Sequence, residues 1–245
     1  MRTLCLFLLV LLTIPMSDTA VLDNEALTHI VHRFRKAAGH QATDYGRGHF
    51  AFLVALPASQ CRNIYRPLGL NPDRSGYPFM TYDVNLLLNY PGRNYLAVFP
   101  NSGSRCPESK LLNPVQINGN RTTAQLFQTL LNNTTQHNNH PVGCIILYTT
   151  YSPCLDLCFN NTGNCEIIPA LQSSPFRDMW TEPDMHKYFV FRKIFAHDAD
   201  QSRHQAIREK LAGVENTGFH VRRCDVELPF TCRECSAPEY CIEQT

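Results

Sequence analysis

The chain has 245 residues, of which 44% are hydrophobic, 10% aromatic and 18% charged, a balance that excludes disorder, collagen and a coiled coil and that one globular domain satisfies. Lys and Arg number 22 against 21 Asp and Glu. No whole-molecule basic field therefore draws it to nucleic acid; any such binding rests on a local patch, to which the ten histidines add charge only in a mildly acidic setting.

At the N-terminus, Arg2 precedes the apolar run Leu4 to Ile14, Pro15 breaks it, and small residues follow at Ser17, Thr19 and Ala20. This is the pattern of a secretory signal peptide; cleavage falls between Ser17 and Val21, and residues 1–20 are read as the signal peptide. The run is too short to span a bilayer, and no later stretch approaches the roughly 20 apolar residues a transmembrane helix requires, so no membrane partner is expected. Two further features agree with a secreted, extracellular protein. Eleven Cys is rich for a cytosolic chain, and Asn120, Asn132, Asn133 and Asn160 each begin an Asn-x-Thr sequon for glycosylation. Asn132 and Asn133 overlap, which leaves room for one glycan on the pair.

Between Asp23 and Ala38, apolar residues at Ala26, Leu27, Ile30, Val31 and Phe34 recur at helical spacing and stop at Gly39, which predicts an amphipathic helix. Phe50 to Leu56 predicts a buried strand ended by Pro57, and Asn94 to Phe99 a second. The segment 57–93 between them is rich in Pro, Asn and Gly and too long for a plain hairpin, so it reads as an insertion with structure of its own. Ala124, Phe127, Leu130 and Leu131 give residues 121–131 a short helical pattern, and an Asn/Thr/His surface loop follows, with His137 and His140 in it. Gly143 to Tyr151 is nearly continuously apolar and β-branched, as an interior strand covered on both faces would be. Tyr188 to Phe195, the helical stretch Asp200 to Leu211 and the shorter strand Gly218 to Val221 follow in about the length a right-handed parallel crossover needs. Trp180 is expected to pack the sheet edge. The fold class is thus α/β, with residues 21–223 as one domain and 224–245 as a tail carrying Cys224, Cys232, Cys235 and Cys241.

Two turns flank the central strand. After the second strand comes Asn-Ser-Gly-Ser-Arg-Cys106-Pro107-Glu108, and after the central one Tyr151-Ser152-Pro153-Cys154-Leu155-Asp156-Leu157-Cys158. Both follow strand ends, where an open α/β sheet usually places its ligands. A zinc hydrolase needs three protein ligands, an open position for water, and a carboxylate that reaches that water without binding the metal. Cys106 and Glu108, on the first turn of a helix, offer one thiolate and the carboxylate. Cys154 and Cys158, near the N-terminus of a second helix whose dipole favours negative charge, offer the other two thiolates, with Cys165 an alternative third ligand. The competing account is disulfides throughout: loss of Cys5 with the signal peptide leaves ten cysteines, enough for five bridges. With zinc at three of them, Cys144 reads as a buried free thiol, and Cys61, Cys165, Cys224, Cys232, Cys235 and Cys241 supply three bridges.

The order Cys-x-Glu, then Pro-Cys and a further Cys, resembles the signature of the zinc-dependent cytidine and nucleic-acid deaminases. Aromatic-Ser-Pro-Cys at Tyr151 to Cys154 is similar to the motif of the AID/APOBEC branch, with Tyr where those proteins usually have Trp. Together with the signal peptide, this resembles the secreted AID/APOBEC-like deaminases over roughly residues 48–223. The resemblance implies a cytidine-deaminase-like mixed sheet of about five strands flanked by helices, with Zn²⁺ on Cys106, Cys154 and Cys158 and proton transfer by Glu108. It implies substrate contacts from Asn101, five residues before Cys106, from Tyr151 and Ser152, and from Phe195 and His197 in the Arg192 to Asp198 loop, which would select the neighbouring nucleotide. The implied partner is cytosine in single-stranded DNA or RNA, or the free nucleoside. Two departures stand out. Cys106 replaces the usual His, which leaves three thiolates outweighing the metal by one charge, with adjacent Arg105 as the compensating donor; this ligand set leans toward a free-nucleoside deaminase. Cys154 and Cys158 are also four apart instead of three, still on one helical face. A reading from another class is a secreted disulfide-rich binding protein on an inactive deaminase scaffold, against which the intact Glu108 argues.

Overall fold

Strands that are apolar on both faces require cover on both sides, and the chain supplies it from its two halves. The computed structural model describes residues 22–44, 49–61, 88–91, 95–99, 106–112, 116–117, 121–122, 132, 142–160, 165–173, 176–178, 185–225, 231–235 and 241–242. In chain order these hold α1 (Asn24–Asp44), β1 (Ala51–Pro57), α2 (Ala58–Cys61), β2 (Leu88–Pro91), β3 (Tyr95–Phe99), α3 (Pro107–Leu112), β4 (Gln116–Ile117), β5 (Arg121–Thr122), β6 (Val142–Tyr151), α4 (Ile168–Leu171), β7 (His186–Lys193), α5 (His204–Glu215), β8 (His220–Asp225) and β9 (Thr231–Glu234). One sheet runs in the order β2-β3-β1-β6-β7-β8-β9, and β4 and β5 form a separate pair. The five inner strands, β3 to β8 in that order, are the α/β sheet expected, and β2 and β9 add an edge strand on each side.

The alternation of side chains divides the core in two. Phe52, Val54, Ile146, Tyr148, Tyr188 and Val190 meet Leu27, Ile30 and Phe34 of α1. Leu53, Ile145, Leu147, Phe189, Phe191 and Val221 meet Leu111 of α3, Leu171 of α4, and Ile207, Leu211 and Val214 of α5. Phe52 and Tyr148, directly paired across β1 and β6, stack with ring centroids 4.7 Å apart. Each large side chain so buried stabilises the fold by about 1.5–3 kcal/mol. Two hydrogen bonds fasten α1 to the sheet: Leu22 N donates to Tyr188 Oη at 2.7 Å, and Cys232 N donates to Thr28 Oγ1 at 2.9 Å.

Strand direction decides where the loops gather. β1 is antiparallel to both β3 and β6, while β6, β7 and β8 are mutually parallel, β7 and β8 being joined through α5. The C-terminal ends of β3, β6 and β7 therefore share one sheet edge with the N-terminal end of β1. Cys106 follows β3, Cys154 follows β6, Phe195 follows β7 and His49 precedes β1, so all four arrive on that edge.

Several expectations are corrected. The first helix does not stop at Gly39 but runs to Asp44; a single Gly costs a helix only about 1 kcal/mol, and no Pro follows to end it. Residues 121–122 are extended and pair with 116–117, whereas the helical pattern after them lies outside the described residues apart from Asn132, which is helical and exposed. Residues 155–158 form a hydrogen-bonded turn rather than the start of a helix. The third crossover strand extends past Val221 to Asp225, and the segment read as a tail supplies β9, antiparallel to β8. Cys144 is not a free thiol: it is bridged to Cys61. The other bridges are Cys224–Cys232 and Cys235–Cys241, which leaves Cys165 unbridged with the three site cysteines. The expected insertion 57–93 contributes α2 and β2. Residues 1–20, Asn101, Arg105, Asn120, Asn133, His137, His140 and Trp180 lie outside the described residues; Asn160 is exposed.

Candidate metal centre

Cys106 is the residue just before α3, and Glu108 is that helix's second residue, so both side chains project from its first turn. Cys154 and Cys158 are held in register by one i→i+4 bond, Cys158 N donating to Cys154 O at 2.9 Å. The three cysteines are buried, and their sulfurs lie within 4.8 Å of one another. Cys106 Sγ is 2.8 Å from Cys158 Sγ, and Cys154 Sγ is 3.3 Å from it. Among the described residues this is the one group of three or more metal-binding side chains brought together. Glu108 closes the cluster. The Cys158 thiol donates to its Oε1 at 2.9 Å, and Thr149 Oγ1 donates to its Oε2 at 3.4 Å.

Burial and crowding set the protonation. Glu108 is 2% exposed, and burial above all pushes its carboxyl up to about 7, against the opposing bond from Cys158. The Cys154 thiol is shifted downward by its contacts with the Cys106 and then the Cys158 sulfur. Those two are shifted upward, Cys106 chiefly through its bond to Cys154 and Cys158 through its bonds to Cys106 and Cys154. Three soft sulfurs, unbridged where six other cysteines among the described residues are bridged, are the donor set that a thiophilic divalent cation such as zinc would take. Cys165, half-buried and packed against the same core cluster, is not part of the trio.

The other described residues of the expected site lie on the same sheet edge. Tyr151 is half-buried at the end of β6, edge-on to His49 at 5.1 Å and to Phe195 at 6.4 Å, and Phe195 lies 5.3 Å from His197. Four rings from three loops therefore form a row. Ser152 is buried, and its Oγ accepts from Phe195 N at 3.0 Å while its own N–H donates to Lys193 O at 2.7 Å; its hydroxyl oxygen is occupied in holding the loop. Two residues here escape sequence reasoning. His49, whose Nε2 is buried without a hydrogen-bond partner, is pushed down to about 4 by burial, which keeps it neutral. Asp198, fully buried, reaches back to the cysteine turn. His49 stands in no motif, and Asp198 closes the expected Arg192 to Asp198 loop with nothing in the sequence to mark its bond to the cysteine turn.

An α/β sheet that gathers three buried thiols and a buried carboxyl at its strand ends defines a candidate metal site of the deaminase type. The chain belongs to the Secreted Novel AID/APOBEC-like Deaminase 1 family, whose model matches residues 24–244. That match reaches into α1 and through the Cys-rich C-terminal segment, beyond the motifs that carry the resemblance in the sequence. None of the curated proteins compared matches the chain. The family name carries the word secreted, and no helix among the described residues is long and apolar enough to cross a membrane.

Proposed function

We propose that the chain is a secreted, zinc-dependent deaminase that hydrolyses the exocyclic amine of cytosine, consuming one water, leaving uracil and releasing ammonia. The observation that carries this reading is Glu108, a buried carboxyl in contact with the thiol cluster and pushed up to about 7. Zinc held by Cys106, Cys154 and Cys158 would supply the Lewis-acid charge that lets water ionise near neutrality. Glu108 takes the proton and passes it first to the ring nitrogen and then to the departing amine, a task for which an acid–base group is best matched near the working pH. Thr149 steadies the second carboxyl oxygen.

The ring row favours single-stranded DNA or RNA as the substrate. His49, Tyr151, Phe195 and His197 offer more aromatic surface than one pyrimidine covers, and flanking bases stack on such platforms at about 1–3 kcal/mol each. Free cytidine is the second reading, favoured by the all-cysteine donor set. Glu108→Gln should keep zinc and fold yet lose deamination by about 10² to 10⁴-fold. With both substrates in one assay, a polynucleotide enzyme should weaken as salt rises, through counterion release at phosphate contacts, and Tyr151→Ala should hurt the oligonucleotide more than cytidine. Uracil from neither substrate, with zinc-loaded protein, would leave the non-catalytic binding scaffold as the better account.

A further inference from the structure

The turn that carries Cys154 and Cys158 is a single turn, too short to satisfy its own first N–H groups. Leu155 N–H is one of these, and its partner comes from a different loop: Asp198 Oδ2 accepts it at 2.9 Å. The carbonyl of the same peptide unit, Cys154 O, accepts from Cys158 N at 2.9 Å and from Phe159 N at 3.2 Å. The Cys154–Leu155 peptide is therefore held at both ends, and because a planar peptide unit includes the Cα on either side, holding it fixes where the Cα of Cys154 stands, the point from which its sulfur reaches those of Cys106 and Cys158.

Asp198 is in turn fixed by an element that does not belong to the site. Arg203 Nη2 lies 3.1 Å from Asp198 Oδ1 and 2.6 Å from Asp156 Oδ1. Arg203 immediately precedes α5, which is anchored by the buried Ile207, Leu211 and Val214. A fully buried carboxylate is costly unless paired and hydrogen-bonded, and here its one hydrogen bond, from Leu155 N–H, and its ion pair with Arg203 together link a packed helix to the residue after a candidate ligand. The 3₁₀ turn Ala196–Asp198 also carries His197 and follows Phe195, so the ring row and the cysteine turn hang from the same carboxylate.

We infer that Asp198 is a positioning residue for the metal centre, setting Cys154 through Leu155 N–H and coupling the Phe195–His197 loop to the cysteine turn. This rests on the reading of Cys106, Cys154 and Cys158 as metal ligands. The test is cobalt(II) titration of the secreted, disulfide-intact chain, read through thiolate-to-cobalt absorption bands, with zinc affinity measured by competition. Asp198→Ala should weaken zinc by about 10-fold or more, the cost typical of losing a group that orients a ligand, and should shift the cobalt bands. Asp198→Asn, which keeps an acceptor for Leu155 N–H, should restore most of the affinity and the wild-type bands. A fold-stabilising role alone would lower the melting temperature and leave the bands in place. Should Asp198→Ala not fold, Arg203→Gln is titrated instead, with a weaker site and shifted bands in support and unchanged values against. Wild-type protein that takes up no cobalt overturns the metal reading and this inference together; wild-type uptake matched in affinity and spectrum by the variants overturns this inference alone.

Discussion

Three thiols packed against one another and against a carboxyl cannot all be ionised together, because each charge raises the cost of the next. The cluster resolves this by lowering Cys154 and raising Cys106, Cys158 and Glu108. A cation that takes all three sulfurs must displace the two thiol protons. Since both thiols are shifted upward, they are protonated at and below neutrality, and each added proton competes with the metal. Zinc affinity should therefore fall as pH falls, by about 100-fold per pH unit for two protons. Competition titrations from about pH 6 to 8 check this; a slope near zero would mean that the thiols are not the ligands. Cys106, Glu108, Cys154 and Cys158 are legible in the sequence because short spacings at two strand ends carry them. Asp198 and His49 are not, because each acts on a partner far along the chain, 43 residues away for the Asp198–Leu155 bond, and no local pattern encodes that meeting.

Among the elements, β6 holds the centre, between β1 and β7, and α2 presses against its start. A Cβ on Gly143 would stand 2.3 Å from Ala58 Cα, so the glycine is what allows α2 close enough for Cys61 to bridge Cys144. Gly143→Ala should destabilise the fold by about 1–3 kcal/mol, the usual cost of overpacking, seen as a lower melting temperature; an unchanged melt would show that α2 yields without loss. The inner strands are readable because their apolar runs are long and continuous. β9 is not, since Thr231 to Glu234 buries only Cys232 and owes its strand to pairing with β8 and to the bond that Cys232 N–H donates to Thr28. The turn after Cys154 reads as a helix start because i and i+4 cysteines suit one, but its chain closes a single turn and leaves.

At the scale of the molecule, the near-balance of charge leaves no whole-molecule field to steer a ligand, and of the three bridges among the described residues two span 8 and 6 residues while one ties distant parts of the chain, Cys61 and Cys144 being separated by 83 residues. A bridge closing a loop of about that size contributes on the order of 4 kcal/mol. Sulfur thus serves the chain in two chemical states that ask opposite things of their surroundings. The oxidants that form the three bridges would, by removing two electrons and two protons, equally join Cys106 to Cys158, whose sulfurs are 2.8 Å apart. If the three thiols hold zinc, as proposed, metal and oxidant compete for the same sulfurs, and a chain that meets the oxidant first loses two of its three ligands. Protein secreted under zinc starvation should yield a Cys106–Cys158 peptide in non-reducing maps, and its absence would show that the buried site keeps oxidants out unaided. Under that reading the share of chains with an intact sulfur trio follows the supply of zinc during maturation.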